Sequence, residues 1–182
     1  MDVISSIAAS MGCIVIAHTD IQDIQILPRN KAPYWVLNSA TEDHQLNDSV
    51  IINSSENPAN TALHNAVFVR GEQQGVSAKV KRQGTAGDKL APDIVDPLIT
   101  HIDAARQRAT AELAEAGRGA MVSFTTTVME GLPLVKPAAL IAVDYDGEQY
   151  KMIVDSVALR ADVSNDGKKT VRQTITGYRS YE

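Results

Sequence analysis

The sequence contains little cysteine, few aromatic residues and no long apolar segment. Its single cysteine, Cys13, lies in the apolar run Cys13–Ala17, which favours a buried thiol and excludes an internal disulfide or a thiolate metal site. No apolar run approaches the roughly 20 residues that cross a bilayer. The N-terminus also lacks the basic and hydrophobic regions of a signal peptide. We therefore expect a soluble chain that is neither exported nor inserted into a membrane.

Positive charge is not in excess either. The formal net charge is −5, with seven acids against two bases in residues 1–61 and fifteen of each in residues 62–182. The local cluster Lys79, Lys81 and Arg82 is diluted by nearby acids and does not extend into a basic stripe of the kind that binds phosphates. We therefore expect no direct binding of nucleic acid.

Motifs for catalysis or metal binding are missing as well. The four histidines are scattered, and no serine lies in a nucleophile-elbow pattern. Asp144 and Asp146 have the opening spacing of a calcium loop, but a strand follows at once, so a hairpin turn is the favoured interpretation. The loop Gly84–Lys89 lacks the ending of a phosphate-binding loop. We predict no enzyme activity, no metal and no cofactor.

A long helix is the strongest positive signal in the sequence. Alanine, leucine, arginine, glutamine and glutamate dominate the stretch from Thr100 to Gly117 and give it a high helix propensity, and Gly117 is a typical helix stop. We place the helix at residues 102–116. Its buried stripe is narrow and mostly alanine, so a sheet can approach it closely.

The first third of the chain predicts a small α/β domain. Residues 1–11 have the periodicity of an amphipathic helix that begins without a cap. We expect that the chain is cut from a longer one, and the alternative is a natural N-terminus that begins with a helix. A buried strand at Cys13–Ala17 and an alternating strand at Ile21–Leu27 follow. The polar stretch Asn53–Asn60 is the predicted domain boundary.

The remainder of the chain carries six candidate strands and the long helix. Six short strands in meander order predict a small antiparallel barrel or a strongly bent sheet. The predicted fold class is thus α+β, with a small α/β domain at residues 1–61 and a six-stranded antiparallel barrel-like domain at residues 62–182. The candidate strands are Ala66–Arg70, Val76–Arg82, Met121–Val128, Leu140–Tyr145, Tyr150–Arg160 and Thr170–Tyr178.

Four segments together resemble a known family: Asn65–Gly71, Arg82–Pro92, the helix around Ala104–Leu113, and Leu134–Val143. Their layout resembles the C-terminal part of phage and prophage tail hub proteins, the baseplate hub and late-control D family of contractile tails. Two departures stand out. The family usually has a glycine near Ala138, and the barrel that lies upstream in its members is missing from this sequence.

The resemblance implies a structural protein. Members of the family are trimers whose barrel domains form a ring that continues the tail tube and holds the spike. The expected partners are therefore two further copies of the chain, a tube protein and a spike protein. The expected location is the baseplate of the virion tail, after assembly in the cytoplasm of the bacterial host. The alternative is a tail-associated carbohydrate-binding or hydrolase domain, since loops on such barrels can carry sites.

The charges of the long helix suggest where copies could meet. Arg106 and Arg108 lie in its first turns, and Glu112 and Glu115 lie in its last. This order is opposite to the one that the helix dipole favours. Two interpretations stay open. The charges either belong to a tolerant solvated face or meet their opposites on a neighbouring copy, as a head-to-tail ring requires.

Overall fold

The computed structural model describes residues 3–17, 21–73, 75–164 and 167–181. In chain order, its helices and strands are α1 (Val3–Ser10), β1 (Cys13–Ala17), β2 (Ile24–Pro28), a 3-10 helix (Tyr34–Ser39), β3 (His44–Asn47), a second 3-10 helix (Asp48–Val50), β4 (Ile51–Pro58), β5 (Ala66–Gly71), β6 (Ser77–Lys81), β7 (Ile94–Asp96), α2 (Ile102–Ala114), β8 (Gly119–Thr127), β9 (Leu140–Tyr145), β10 (Glu148–Val163) and β11 (Lys169–Ser180).

These elements form two compact units, each built from two segments of the chain. The first unit comprises Met1–Tyr34 and Thr61–Arg118, and the second comprises Trp35–Asn60 and Gly119–Glu182. The units do not coincide with the predicted domains 1–61 and 62–182. The chain passes between the units three times, and only the passage from Asn60 to Thr61 lies next to the predicted boundary.

The first unit contains a hairpin, a small mixed sheet and the long helix. Strands β1 and β2 pair antiparallel, and the second sheet has the order β6-β5-β7. Helix α2 packs on β5 and β6 through small side chains, of which Ala105 and Ala109 are fully buried. The helix begins at the predicted residue and ends at Ala114, two residues before the predicted end.

The second unit is one six-stranded sheet with the strand order β3-β9-β10-β11-β8-β4. All neighbours are antiparallel except β3 and β9, which are parallel. The sheet coils around a single core, and the Ser54 hydroxyl donates to the Tyr145 hydroxyl at 3.0 Å, joining β4 to β9 across the coil. The core side chains are Leu46, Ala120, Val122, Phe124, Leu132, Val135, Ile141, Val143, Met152, Val154 and Ile175.

The prediction of an antiparallel barrel made from six consecutive strands is wrong. The candidate strands Ala66–Arg70 and Val76–Arg82 belong to the small sheet of the first unit, and β3 and β4 take their places in the large sheet. That sheet is mixed, and β3 and β4 stay unpaired with each other among the described residues. Alternation of apolar residues shows which side of a strand is buried, but it does not show which strand lies beside it.

Most of the polar stretch Asn53–Asn60, the predicted domain boundary, lies in β4. This strand is at the end of the sheet and is exposed at six of its eight residues. An exposed end strand has few core-facing positions, so its composition resembles that of a loop.

The predicted hairpin turn at Asp146 and Gly147 is confirmed. Tyr145 pairs directly with Glu148, and the two residues between them have φ angles of 53° and 77°. Positive φ at both positions defines the two-residue turn that Asp-Gly favours, because its twist matches that of the flanking strands. The turn connects β9 to β10 and leaves no room for a calcium loop.

Ala138 adopts the left-handed conformation, with a φ of 64°. Its N–H donates to the carbonyl of Val154 at 2.8 Å, so the conformation is fixed by pairing with β10. A side chain in this region costs about 1–2 kcal/mol relative to glycine's free access to it. Glycine, which the resemblance to tail hub proteins leads one to expect near this position, adopts this conformation without that cost.

Candidate functional site

The strand pair β10–β11 continues past the rest of the second unit's sheet. β9 pairs with β10 only over Glu148–Ile153, and β8 pairs with β11 only from Arg172 onward. Residues 156–163 therefore pair with β11 alone, and within the described chain no strand covers their other edge. We call residues 156–163 together with 169–176 the hairpin arm.

One face of the hairpin arm is apolar and continues the core-facing side of the sheet. Val157 packs against the core, and its partner Ile175 is fully buried. Alternate residues of a strand share a face, so the same strip runs outward to Leu159 and Val163. These two side chains are 55% and 69% exposed, and Val171 on the neighbouring strand is 42% exposed.

The hairpin arm has the properties of a docking surface. An unpaired strand edge presents a row of backbone N–H and C=O groups that another chain can pair with. Only the outer end of the arm, where residues 161–163 face residues 169–171, lies beyond the pairing with β8, and a two-stranded hairpin is marginally stable in water on its own. The polar face is occupied by an ion pair between Arg160 and Asp162, with a nitrogen–oxygen distance of 3.0 Å. The apolar face and the open edge are therefore the parts that a protein partner would cover.

The four helix residues predicted as an interface all have partners within the first unit. The guanidinium of Arg108 lies 3.4 Å from the Glu112 carboxylate and also donates to the carbonyl of Ala9 at 3.2 Å. Arg106 pairs with Asp103 at 3.4 Å, and Glu115 pairs with Arg29 at 3.6 Å. These contacts account for the charge order without a second copy, and an interface at Arg106, Arg108, Glu112 and Glu115 stays a prediction.

A cluster around Arg179 holds the end of the second unit together. Its guanidinium lies 2.6 Å from the Glu148 carboxylate and 3.8 Å from that of Glu56. It also lies over the rings of Tyr150 and Tyr181, 3.9 Å and 4.8 Å from their centroids. Burial raises the pKa of Tyr150 to about 12, so this phenol stays neutral and stacks on the cation. The cluster links β4, β10 and β11 and therefore has a structural role.

A groove of about 330 Å³ lies on the outer face of β3, β9 and β10 in the second unit. Lys151 lines it, and its ammonium donates to the carbonyl of Ala40 at 2.6 Å and to the Glu42 carboxylate at 2.8 Å. The hydrogen bond from Lys151, followed by those from the Glu42 backbone amide and from Gln45, lowers the pKa of Glu42 to about 2. The pair therefore stays ionised over the physiological pH range.

The Glu42–Lys151 pair is expected to make the second unit acid-sensitive. The folded pKa of Glu42 lies below the ordinary value of 4.5, so the pair stabilises the fold above pH 4.5 and this stabilisation is lost as the pH falls toward 2. Melting temperatures of the parent and of Glu42→Gln should therefore converge over this interval. Glu130→Gln is the control, because Glu130 forms no ion pair among the described residues, and its curve should follow the parent's. Curves for Glu42→Gln and the parent that stay parallel would contradict this account.

No cluster of three or more histidine, cysteine or acidic side chains suited to a metal occurs in the described part of the chain. Cys13 is half-buried, and burial raises the pKa of its thiol, which makes it a weak nucleophile. None of the described helices is long and apolar enough to cross a membrane.

No protein-family model matches the sequence, and no curated protein matches it. Two crystal structures of tail proteins are similar to it. The tail protein from Neisseria meningitidis MC58 has a TM-score of 0.55 and 15% sequence identity, over 97% of this chain and 53% of that one. The 43 kDa tail protein of prophage MuSo2 from Shewanella oneidensis has a TM-score of 0.48 and 14% identity, over 91% of this chain and 48% of that one.

The similarity to the Neisseria protein shows a shared fold along nearly the whole chain. The score for the Shewanella protein is too low to add to this conclusion. The chain spans about half the length of both tail proteins.

Proposed function

We propose that this chain is a structural subunit of a phage or prophage tail. Its place is the baseplate hub, where three copies form a ring that joins the tail tube to the spike after assembly in the bacterial host cytoplasm. The chain works by assembly and carries out no chemical reaction. Tube and spike proteins contact the two sides of the ring.

The hairpin arm is the observation that carries this proposal. It combines an open strand edge with exposed Leu159 and Val163, and both features favour burial against another protein. If the open edge pairs with a different patch on the next copy, the contact is head-to-tail, and three copies close into a ring when each is rotated by a third of a turn from the last. The fold shared with the Neisseria tail protein supports the same class of function.

Lysines on the apolar face of the hairpin arm are expected to dissociate the assembly. Leu159→Lys with Val163→Lys places two charges where apolar contact is proposed, and burying an unpaired charge is unfavourable. Sedimentation velocity should then show mostly monomer at concentrations where the parent is a trimer, with unchanged melting of the second unit.

The matched control places the same two charges on the other face. Ser156→Lys with Ala158→Lys lies on the same strand, at exposed positions that point away from the apolar strip. This variant should assemble as the parent does. Equal assembly of both variants would contradict a role for the apolar face, and a monomeric parent would contradict the assembly itself.

A further inference from the structure

The groove on the outer face of the second unit is built from two rows of side chains. In one row Gln45, Ala142 and Lys151 lie side by side on β3, β9 and β10. Their neighbours along the strands, among them Leu46 and Ile141, are buried in the core. Because side chains alternate along a strand, the row must point outward.

The second row lies one step further along the same strands. It consists of Asn47, Asp144 and Gln149, which are paired by the same register. Asn38, from the 3-10 helix Tyr34–Ser39, completes the lining. Ala142 is the smallest side chain in the two rows, so it forms the floor between the longer residues on either side.

The lining is rich in groups that both donate and accept hydrogen bonds. The amide of Gln149 donates to the Asp144 carboxylate at 3.1 Å, which orients that carboxylate. The side chains of Asn38 and Asn47 form no hydrogen bond with other described residues. Each free amide offers two N–H donors and one carbonyl acceptor, so both are available to a ligand.

The charge of the groove selects against anions. The ammonium of Lys151 is already neutralised by Glu42, 2.8 Å away, which leaves Asp144 as the unbalanced charge. A phosphate or another anion would face that carboxylate without a free cation to pair with. Ala142, Val143 and Tyr150 add apolar surface beside the polar side chains, so a ligand that combines hydroxyl groups with C–H faces fits the lining better than a purely lipophilic one.

We propose that this groove binds a neutral carbohydrate. Sugar hydroxyls donate and accept hydrogen bonds, as the amides of Asn38, Asn47 and Gln149 do, and they donate to a carboxylate such as Asp144. The groove volume of about 330 Å³ is at the small end of ligand pockets, which suits one or two sugar rings. This binding adds to the assembly role proposed above and uses a different surface of the second unit.

The experiment measures binding of soluble sugars to the intact chain by saturation-transfer NMR and titration. The probes are glucose, galactose, N-acetylglucosamine and their disaccharides, with sialyllactose and inorganic phosphate as anionic comparisons. At least one neutral sugar should bind saturably, and the anions should bind at least tenfold more weakly. Ala142→Leu fills the floor and should weaken the neutral sugar at least tenfold. Ala158→Leu, at an exposed site on the face of the hairpin arm opposite the apolar strip, is the control and should bind as the parent does.

Ala142→Leu could lose binding because it misfolds, so a second variant of the groove is needed. Asn47→Ala with Asp144→Ala changes only exposed side chains, and it should also weaken binding at least tenfold. The proposal is overturned if no neutral sugar binds, if binding survives in the groove variants, or if an anion binds more tightly than every neutral sugar. These outcomes leave the oligomeric state untouched, so they are distinguishable from a failure of the proposed assembly.

Discussion

Replacement of Phe124 by alanine is expected to lower the free energy of unfolding of the second unit by about 3–5 kcal/mol, the usual cost of removing a buried phenylalanine. Phe124 lies on β8, is 1% exposed and meets the Tyr145 ring edge-on, with 5.5 Å between centroids. Its removal leaves a cavity at the centre of the coiled sheet, where strands on all sides limit collapse.

Trp35 serves as a fluorescence reporter for this test, and Phe68 provides the control substitution. Its single tryptophan, Trp35, belongs to the second unit, so tryptophan fluorescence during urea unfolding follows that unit. Phe68→Ala makes the same chemical change at a 37% exposed site of the first unit. The midpoint of the fluorescence transition should fall strongly for Phe124→Ala and little for Phe68→Ala. Equal shifts would contradict the central position of Phe124.

Replacement of Gly177 by alanine is expected to cost about 1–3 kcal/mol, the range for overpacking a tight site. Gly177 lies on β11, opposite Val154, at a bulge in β10. A Cβ atom there would lie 2.6 Å from the backbone oxygen of Ile153 and 3.2 Å from the Met152 sulfur. The backbone of β10 would have to move away from β11. This movement would weaken the hydrogen bonds between the two strands at the base of the hairpin arm.

Gly131→Ala is the matched control for Gly177→Ala. A Cβ atom at Gly131 meets nothing within 4 Å, and its φ is not positive, so the added methyl group should be tolerated. Trp35 fluorescence in urea compares the two variants directly. A Gly177→Ala variant as stable as Gly131→Ala would contradict the close packing of β10 against β11 at this position.

Local features of the fold could be predicted from the sequence because they depend on neighbours in the chain. The alanine-rich stretch yields a helix at Ile102–Ala114, and Asp146-Gly147 yields a two-residue hairpin turn. Both signals act over a few residues. β7, at Ile94–Asp96, was not predicted because three residues are too few to establish an alternating pattern.

Long-range pairing could not be predicted in the same way. β3 and β4 join a sheet whose other strands lie some 60 to 130 residues further along the chain, and no local pattern specifies these partners. The Arg179 cluster likewise joins Glu56 and Glu148 from distant strands. The hairpin arm did have a signal, since alternate apolar residues run from Val157 to Val163 past the end of the core. The groove had no signal in the sequence, because its two rows of side chains form only when β3, β9 and β10 pair in their particular register.

The structure separates two kinds of surface on the second unit. The hairpin arm has an apolar face and an open edge, which suit a protein partner, whereas the groove is concave and lined by both polar and apolar side chains, which suits a small neutral ligand. Arg106, Arg108 and Glu112 of α2, and Glu115 just after it, lie in the first unit and are paired there. If copies assemble through the hairpin arm, these helix charges should contribute to stability by a few tenths of a kcal/mol each and not to assembly.

The mass of the chain in solution tests the central claim most directly. Sedimentation equilibrium over a wide range of concentrations should give a species three times the 19.6 kDa chain mass, and this trimer should dissociate when Leu159 and Val163 are replaced by lysine. A chain that stays at the monomer mass at the highest concentration would contradict the proposal that it assembles into a tail ring.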